Sequence, residues 1–201
     1  MSITSIRIDP AATRRLAQGY TSADGKLAPA KPWTWRASSV LAGCGALRSS
    51  AREMIRYVAA NAGLTESKLS PALIDSHAER AEAGSAQMGI GLGWLIKKGA
   101  DRSIVWHNGA TGGFHSFVGF DPQSKTGVVV LSSSAGDIDD IGVHLLDAKN
   151  PLRELGWAVP VDEAQLARLG PARHVASGRE GDAREAHVGP GSTESAHRGR
   201  G

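Results

Sequence analysis

The residues with the most chemical capacity at short spacing are His107-Asn108-Gly109, which run straight into Ala110-Thr111-Gly112-Gly113. An imidazole is partly charged near neutral pH and can give or take a proton. A side-chain amide beside it can both donate and accept hydrogen bonds. Taken alone the triplet is a weak signal, and an ordinary strand histidine beside a turn explains it as well. Other catalytic spacings are absent or misplaced. There is no Gly-x-Ser-x-Gly elbow and no His-Glu-x-x-His pair. Gly89-x-Gly91-x-Gly93 is not a dinucleotide fingerprint, because the third glycine is wrongly spaced and a strand, not a helix, follows. Asp137, Asp139 and Asp140 could suggest a metal site, but no His or Cys lies at ligand spacing. They read as residues suited to the positive end of a helix dipole, and no metal or cofactor is expected.

The triplet needs a strand to hold it. Ile104 to Gly109 reads as one, leading to a Gly-rich turn. His115 to Asp121 returns, and Gly127 to Ser133 is a near-continuous apolar run with three adjacent valines. Pro122 and Gly127 supply the turn chemistry between the last two, with Gly127 expected to take the positive φ. The valine run has the pattern of a strand buried on both faces, so layers are expected above and below it. Ser50-Ala-Arg-Glu53 is a capping box, in which Glu53 can reach back to the cap. It opens a helix with Met54, Ile55, Val58 and Ala59 on one face and Gly63 at its stop. A second helical stretch is expected from about Ser70 to Arg80. Residues 83–86 read as loop, 88–96 as one strand, and 97–102 as a charged turn. Asp137 reads as the N-cap of a last helix with Ile138, Ile141, Leu145 and Leu146 as its apolar stripe. Residues 1–40 read as loop broken by prolines, with Trp33 and Trp35 covering a core rather than forming a ligand platform.

The totals narrow the class. The chain has 201 residues, enough for one domain with a tail, and a formal charge of +3. That weak excess gives no ground for nucleic-acid binding. Cys44 is the only cysteine, so no intrachain disulfide is possible. No apolar run approaches the roughly 18 residues of a membrane span. The first residues have no signal-peptide pattern, and the compartment stays open. From about Gly170 the sequence is rich in Gly, Arg, His, Ala and Ser. A folded domain over 1–168 and a disordered tail over 169–201 are expected.

From Ala17-Gln-Gly-Tyr20 to about Arg168 the chain resembles the serine β-lactamase and penicillin-binding protein superfamily. The closest branch is the class C-like one, with its esterases and D-amino-peptidases. The resemblance rests on His107-Asn108-Gly109 with the following Gly-rich turn and two strands, on Gly45-Ala-Leu-Arg-Ser49 entering a helix, and on Gly91-Leu-Gly-Trp94. It implies an α/β fold of the α+β type: an antiparallel sheet flanked by helices, with the triplet on an edge strand beside the active site. It implies hydrolysis of a β-lactam, ester or D-amino peptide through an acyl-serine. His107 would take the place of the family's triplet lysine, Asn108 would hydrogen-bond substrate, and Gly109 would let substrate approach the strand. The Ala110 N–H would be one oxyanion-hole donor.

The same resemblance calls for Ser-x-x-Lys and Tyr-x-Asn, and neither occurs. Lys125-Thr126-Gly127 spells the family triplet but falls in the turn between two strands. The expectation is therefore the C-terminal portion of such an enzyme, with both motifs upstream of position 1 and no activity from this chain alone. Without the missing N-terminal half, the valine strand would be left at a sheet edge. The alternative is a non-catalytic fragment that binds a protein partner through that exposed edge.

Overall fold

The computed structural model describes residues 1–153 apart from 8, 24, 25 and 37. The domain boundary expected at 168 and the tail over 169–201 lie outside the described residues. The centre of the fold is a six-stranded antiparallel sheet in simple meander order: β3 (Ala81–Ser85), β4 (Met88–Ile90), β5 (Leu95–Lys98), β6 (Ser103–Thr111), β7 (Phe114–Asp121) and β8 (Thr126–Ser132). The three strands read from the triplet region are all present. The single strand expected over 88–96 is two. It breaks at Gly91–Trp94, where Gly93 takes φ +75°, and residues 81–85 pair as a strand instead of looping.

Side-chain alternation sends successive residues to opposite faces. On one face Val105, Phe120 and the partly buried Val118 and Val129 pack with Trp94 and Ile96 under α2 (Ala51–Asn61), through its Val58 and the following Ala62. On the other, Ile104, Phe117, Trp106, Val128 and Val130 pack under α4 (Asp139–Leu146), through Val143 and Leu146. This double layer explains the three adjacent valines: Val129 faces α2 while Val128 and Val130 face α4. The valines are only partly buried, because β8 is the last strand of the sheet and one flank has no strand partner among the described residues. Phe117 and Phe120 are completely buried, one on each face, and full burial of such a side chain contributes about 1.5–3 kcal/mol.

The helix ends follow local chemistry. Ser50 caps α2 by accepting from the Glu53 N–H. Gly63, at φ +72°, ends the helix in a Schellman arrangement. Its N–H donates to the Ala60 carbonyl, and that of Leu64 donates to Ala59. Two expectations about α2 fail. Ile55 is exposed, since the buried face runs through Val58, Asn61 and Ala62. The Glu53 carboxylate does not turn back to Ser50. It accepts instead from the N–H groups of Ser2 and Ile3 and the Thr4 hydroxyl, three donors against one. α3 (Ser70–Ser76) is shorter than expected and packs on α2. α4 begins two residues after Asp137, which caps it from outside by accepting from the Asp139 N–H at 2.9 Å. Ile141 and Leu145 are exposed, and the buried line is Ile138, Gly142 and Leu146.

The positive φ of the β7–β8 turn falls on Lys125, not Gly127. Asp121 sets that turn by accepting from the N–H groups of Gln123 and Ser124. Residues 1–40 are more regular than expected. They hold a short helix, α1 (Pro10–Thr13), and a hairpin of β1 (Tyr20–Ala23) and β2 (Lys26–Pro29). That hairpin grips the β6–β7 turn: the Tyr20 N–H donates to the carbonyls of Gly113 and Ser133.

Candidate functional site

β6 lies inside the sheet only for its first half. β5 pairs with Ser103 to Trp106 and stops, while β7 continues alongside to Thr111. From His107 to Thr111 the flank away from β7 has no strand partner among the described residues. The triplet thus sits on a local edge within an interior strand, a refinement of the expected edge strand. Gly112-Gly113 closes the hairpin as a two-residue turn between Thr111 and Phe114, with Gly113 at φ +80°. Bonded and non-bonded pairs alternate along an antiparallel ladder, and a two-residue turn is closed by a bonded pair. The next pair, Ala110 with His115, is therefore non-bonded, and the Ala110 N–H is directed outward to the open flank.

The side chains of the triplet divide between the two faces. His107 pairs across the ladder with Val118 and is exposed on the α2 face, its Nδ1 2.6 Å from the Asn108 carbonyl oxygen. Gly109 follows it on the same face, where a Cβ would come within 3.1 Å of the Ser116 hydroxyl. Asn108 points the other way, and its amide donates to Asp139 Oδ2 at 2.5 Å. His107, Gly109 and the outward N–H of Ala110 are brought together along one strand edge; the Asn108 side chain is engaged at the first turn of α4.

The wall beside this edge comes from the region read as loop. Trp33 and Trp35 meet edge to face at 6.4 Å. A Cβ on Gly112 would lie 2.7 Å from the Trp33 ring, and one on Gly45 would touch both Trp35 and the Thr111 methyl. Trp33 is 58 % exposed, so it borders the turn more than it covers a core. The His107 and Ala110 side chains lie open to solvent. A shallow hollow of about 330 Å³, lined by residues 99–103 with Pro122 and Gln123, is at the opposite end of β6. Its lining of turn residues brings no nucleophile–base pair together.

Two clusters were not legible as such. His77, at the end of α3, packs edge-on to Phe120 at 4.7 Å and to Trp94 at 5.7 Å. Asn61 Nδ2 is committed to the Tyr57 carbonyl, so Asn61 Oδ1 accepts from His77 Nε2 at 2.8 Å, which fixes the tautomer. Burial lowers the His77 pKa and so favours the neutral ring. The second cluster gathers His115, Asp137, Asp139, Asp140 and Arg153 at the start of α4. Hydrogen bonds from Arg153 hold Asp137 and Asp140 below the usual carboxylate range, and the same pairing raises the Arg153 pKa. No local spacing announces this group, because the sheet register brings His115 across from β7.

Among the described residues no helix is long and apolar enough to cross a membrane. The family model described as Beta-lactamase matches residues 1–147. No curated protein matches the chain by sequence. Among solved structures, the octameric penicillin-binding protein homologue from Pyrococcus abyssi is similar, with a TM-score of 0.60 at 21% identity over 73% of this chain and 33% of its own. A class C beta-lactamase gives 0.58 at 18% identity, over 76% of this chain and 47% of that one. The D-alanine carboxypeptidase AmpC from Burkholderia cenocepacia gives 0.59 at 21% identity, over 72% and 50%. The chain spans between a third and a half of the length of these structures, and identities this low show a shared fold. With the family model covering most of its length, the chain belongs to the beta-lactamase family.

Proposed function

We propose that this chain supplies the substrate-binding and oxyanion-stabilising strand of a serine hydrolase that cleaves a β-lactam, ester or D-amino peptide through an acyl-serine. The observation that carries the reading is the open flank of β6 from His107 to Thr111, with the exposed His107 imidazole and the outward Ala110 N–H on it. In acyl transfer, negative charge gathers on the carbonyl oxygen as the nucleophile adds. A preorganised N–H aimed at that oxygen strengthens as the charge forms. Loss of one such donor costs about 10²–10³-fold in rate. Gly109 leaves the strand edge clear for a substrate backbone, and His107 offers a ring nitrogen for hydrogen bonding beside it. The family resemblance gives Asn108 to substrate as well. Its bond to Asp139 fits it better to holding β6 against α4.

This sequence contains neither Ser-x-x-Lys nor Tyr-x-Asn. On this reading the nucleophile and its base come from an N-terminal half of the fold, and the chain alone is catalytically silent. Without the nucleophile the covalent route is lost, and an oxyanion donor on its own gives only a small residue of the rate. Intact-mass spectrometry after incubation with a labelled penicillin is expected to show the unmodified chain; a stable adduct on any of its serines overturns the silence of the chain. Co-expression with the Ser-x-x-Lys- and Tyr-x-Asn-bearing half of a class C relative tests the positive part. A chromogenic cephalosporin or an activated ester should be hydrolysed only by the pair, and a pair no more active than either half removes the assignment.

A further inference from the structure

The face of the sheet opposite His107 carries a group that acyl transfer does not use. His115 is 8% exposed, and its Nε2 lies 3.3 Å from Asp139 Oδ1 and 3.8 Å from Asp137 Oδ1. Its Nδ1 is buried with no hydrogen-bond partner. The outer oxygens of the two carboxylates are occupied: Asp139 Oδ2 accepts from Asn108, and Asp137 Oδ2 pairs with Arg153 at 2.9 Å. Both Oδ1 atoms face the imidazole; Asp137 Oδ1 also accepts from the Asp139 N–H at 2.9 Å, which leaves its second lone pair for a ligand bond. A charge-assisted N–H···O bond closes to about 2.7–2.9 Å, and these contacts are longer. They match the edges of a coordination shell. Nitrogen and oxygen ligands about 2.0–2.2 Å from a small dication in tetrahedral geometry stand about 3.4 Å apart. All three donor atoms fall within 4.8 Å of one another.

The surroundings favour a cation. Asp137, Asp139 and Asp140 place three carboxylates here against the single guanidinium of Arg153. Solvent reaches the group, since the Asp137 side chain is 47% exposed and that of Asp139 is 21% exposed. The outer partners Asn108 and Arg153 hold the carboxylates in orientation, as outer-shell groups do around bound metals. We propose that His115 Nε2, Asp137 Oδ1 and Asp139 Oδ1 form a binding site for a divalent transition metal, with zinc best suited to the donor set and water completing the shell. Such an ion would join β7 to the first turn of α4. The site stands independently of the role given to β6.

The test uses the full chain, freed of metal with a chelator and titrated with Zn²⁺ by calorimetry and with Co²⁺ by visible absorption. One equivalent should bind, with the absorption bands of a tetrahedral Co²⁺ centre and a rise in Tm on adding Zn²⁺. His115→Gln and Asp137→Asn should each weaken binding by at least about tenfold. Asp137 is partly exposed, so its substitution keeps the test sharp if the buried histidine is needed for folding. Zinc binding that persists undiminished in Asp137→Asn, as from histidines elsewhere in the chain, overturns the assignment. So does the absence of binding in the parent chain.

Discussion

Glu53 shows how a single side chain can be read half correctly. Its place three residues after Ser50 marks a helix start, and the Ser50 cap is made. Its carboxylate is 3% exposed and is held by the Thr4 hydroxyl and the N–H groups of Ser2 and Ile3. Those bonds, the Thr4 hydroxyl first, outweigh the cost of burial and lower the pKa from 4.5 to about 2. A carboxylate whose folded pKa is depressed contributes stability above its unfolded pKa and loses it as pH falls toward the folded value. Glu53→Gln should therefore be less stable than the parent at neutral pH, and the gap should narrow as pH falls from about 4.5 toward 2. Urea unfolding at a series of pH values measures this; a gap that is constant over that range means the charge on Glu53 does not hold the segment. The cap was legible because capping chemistry is local. The tie to residues 2–4 was not, because its donors lie some fifty positions away and are brought over by the backbone pairing of Ser5 with Arg48.

At the scale of elements, glycine decides how close each helix comes to the sheet. α4 lies over Phe117 through Gly142, where a Cβ would fall 2.2 Å from the ring. α2 lies over β8 through Gly127, where a Cβ would fall 2.3 Å from Val58 Cγ1. Gly142→Ala separates two opposed effects. Helix propensity favours alanine by about 1 kcal/mol, whereas overpacking a filled core costs about 1–3 kcal/mol. Phe117 is fully buried, so packing should win and Tm should fall. A variant with raised Tm would show that α4 can lift from the sheet at little cost. These glycines also mark where sequence reading reached its limit. The valine run, the Gly112-Gly113 turn and the Gly63 stop follow from period and turn chemistry, and each is where the sequence places it. Gly127 looks like a turn residue, but its role is close approach to a helix more than sixty residues earlier. Likewise Ile55, Ile141 and Leu145 fit an apolar stripe by spacing, while the buried line is fixed by which face meets the sheet. The triplet was legible as a strand motif; the division of His107 and Asn108 between opposite faces needed the register.

At the scale of the whole molecule, the flank of β8 stands open among the described residues. Helices cover both faces of Val128 to Val130, and the Tyr20 backbone bonds beside Ser133 and Ala135 close the far end. Between Thr126 and Ser132 no strand pairs on the outer side among the described residues. A flat, apolar, unpaired edge is a template for another strand, and proteins blunt such edges with charge. On this flank Leu131 is the large apolar residue most open to solvent, at 46%. Leu131→Lys places a positive charge beside the edge without touching the partly buried valines. As a surface change it should alter stability by no more than about 0.5 kcal/mol. It should reduce concentration-dependent association in sedimentation velocity while leaving the far-ultraviolet circular dichroism unchanged. The direction of the result is informative either way. Reduced association means that the flank recruits strands, as it would if the sheet continued through further strands in a longer chain. Association equal to that of the parent moves the contact elsewhere, and the exposed Ile141 and Leu145 on α4 are then the surface to charge next.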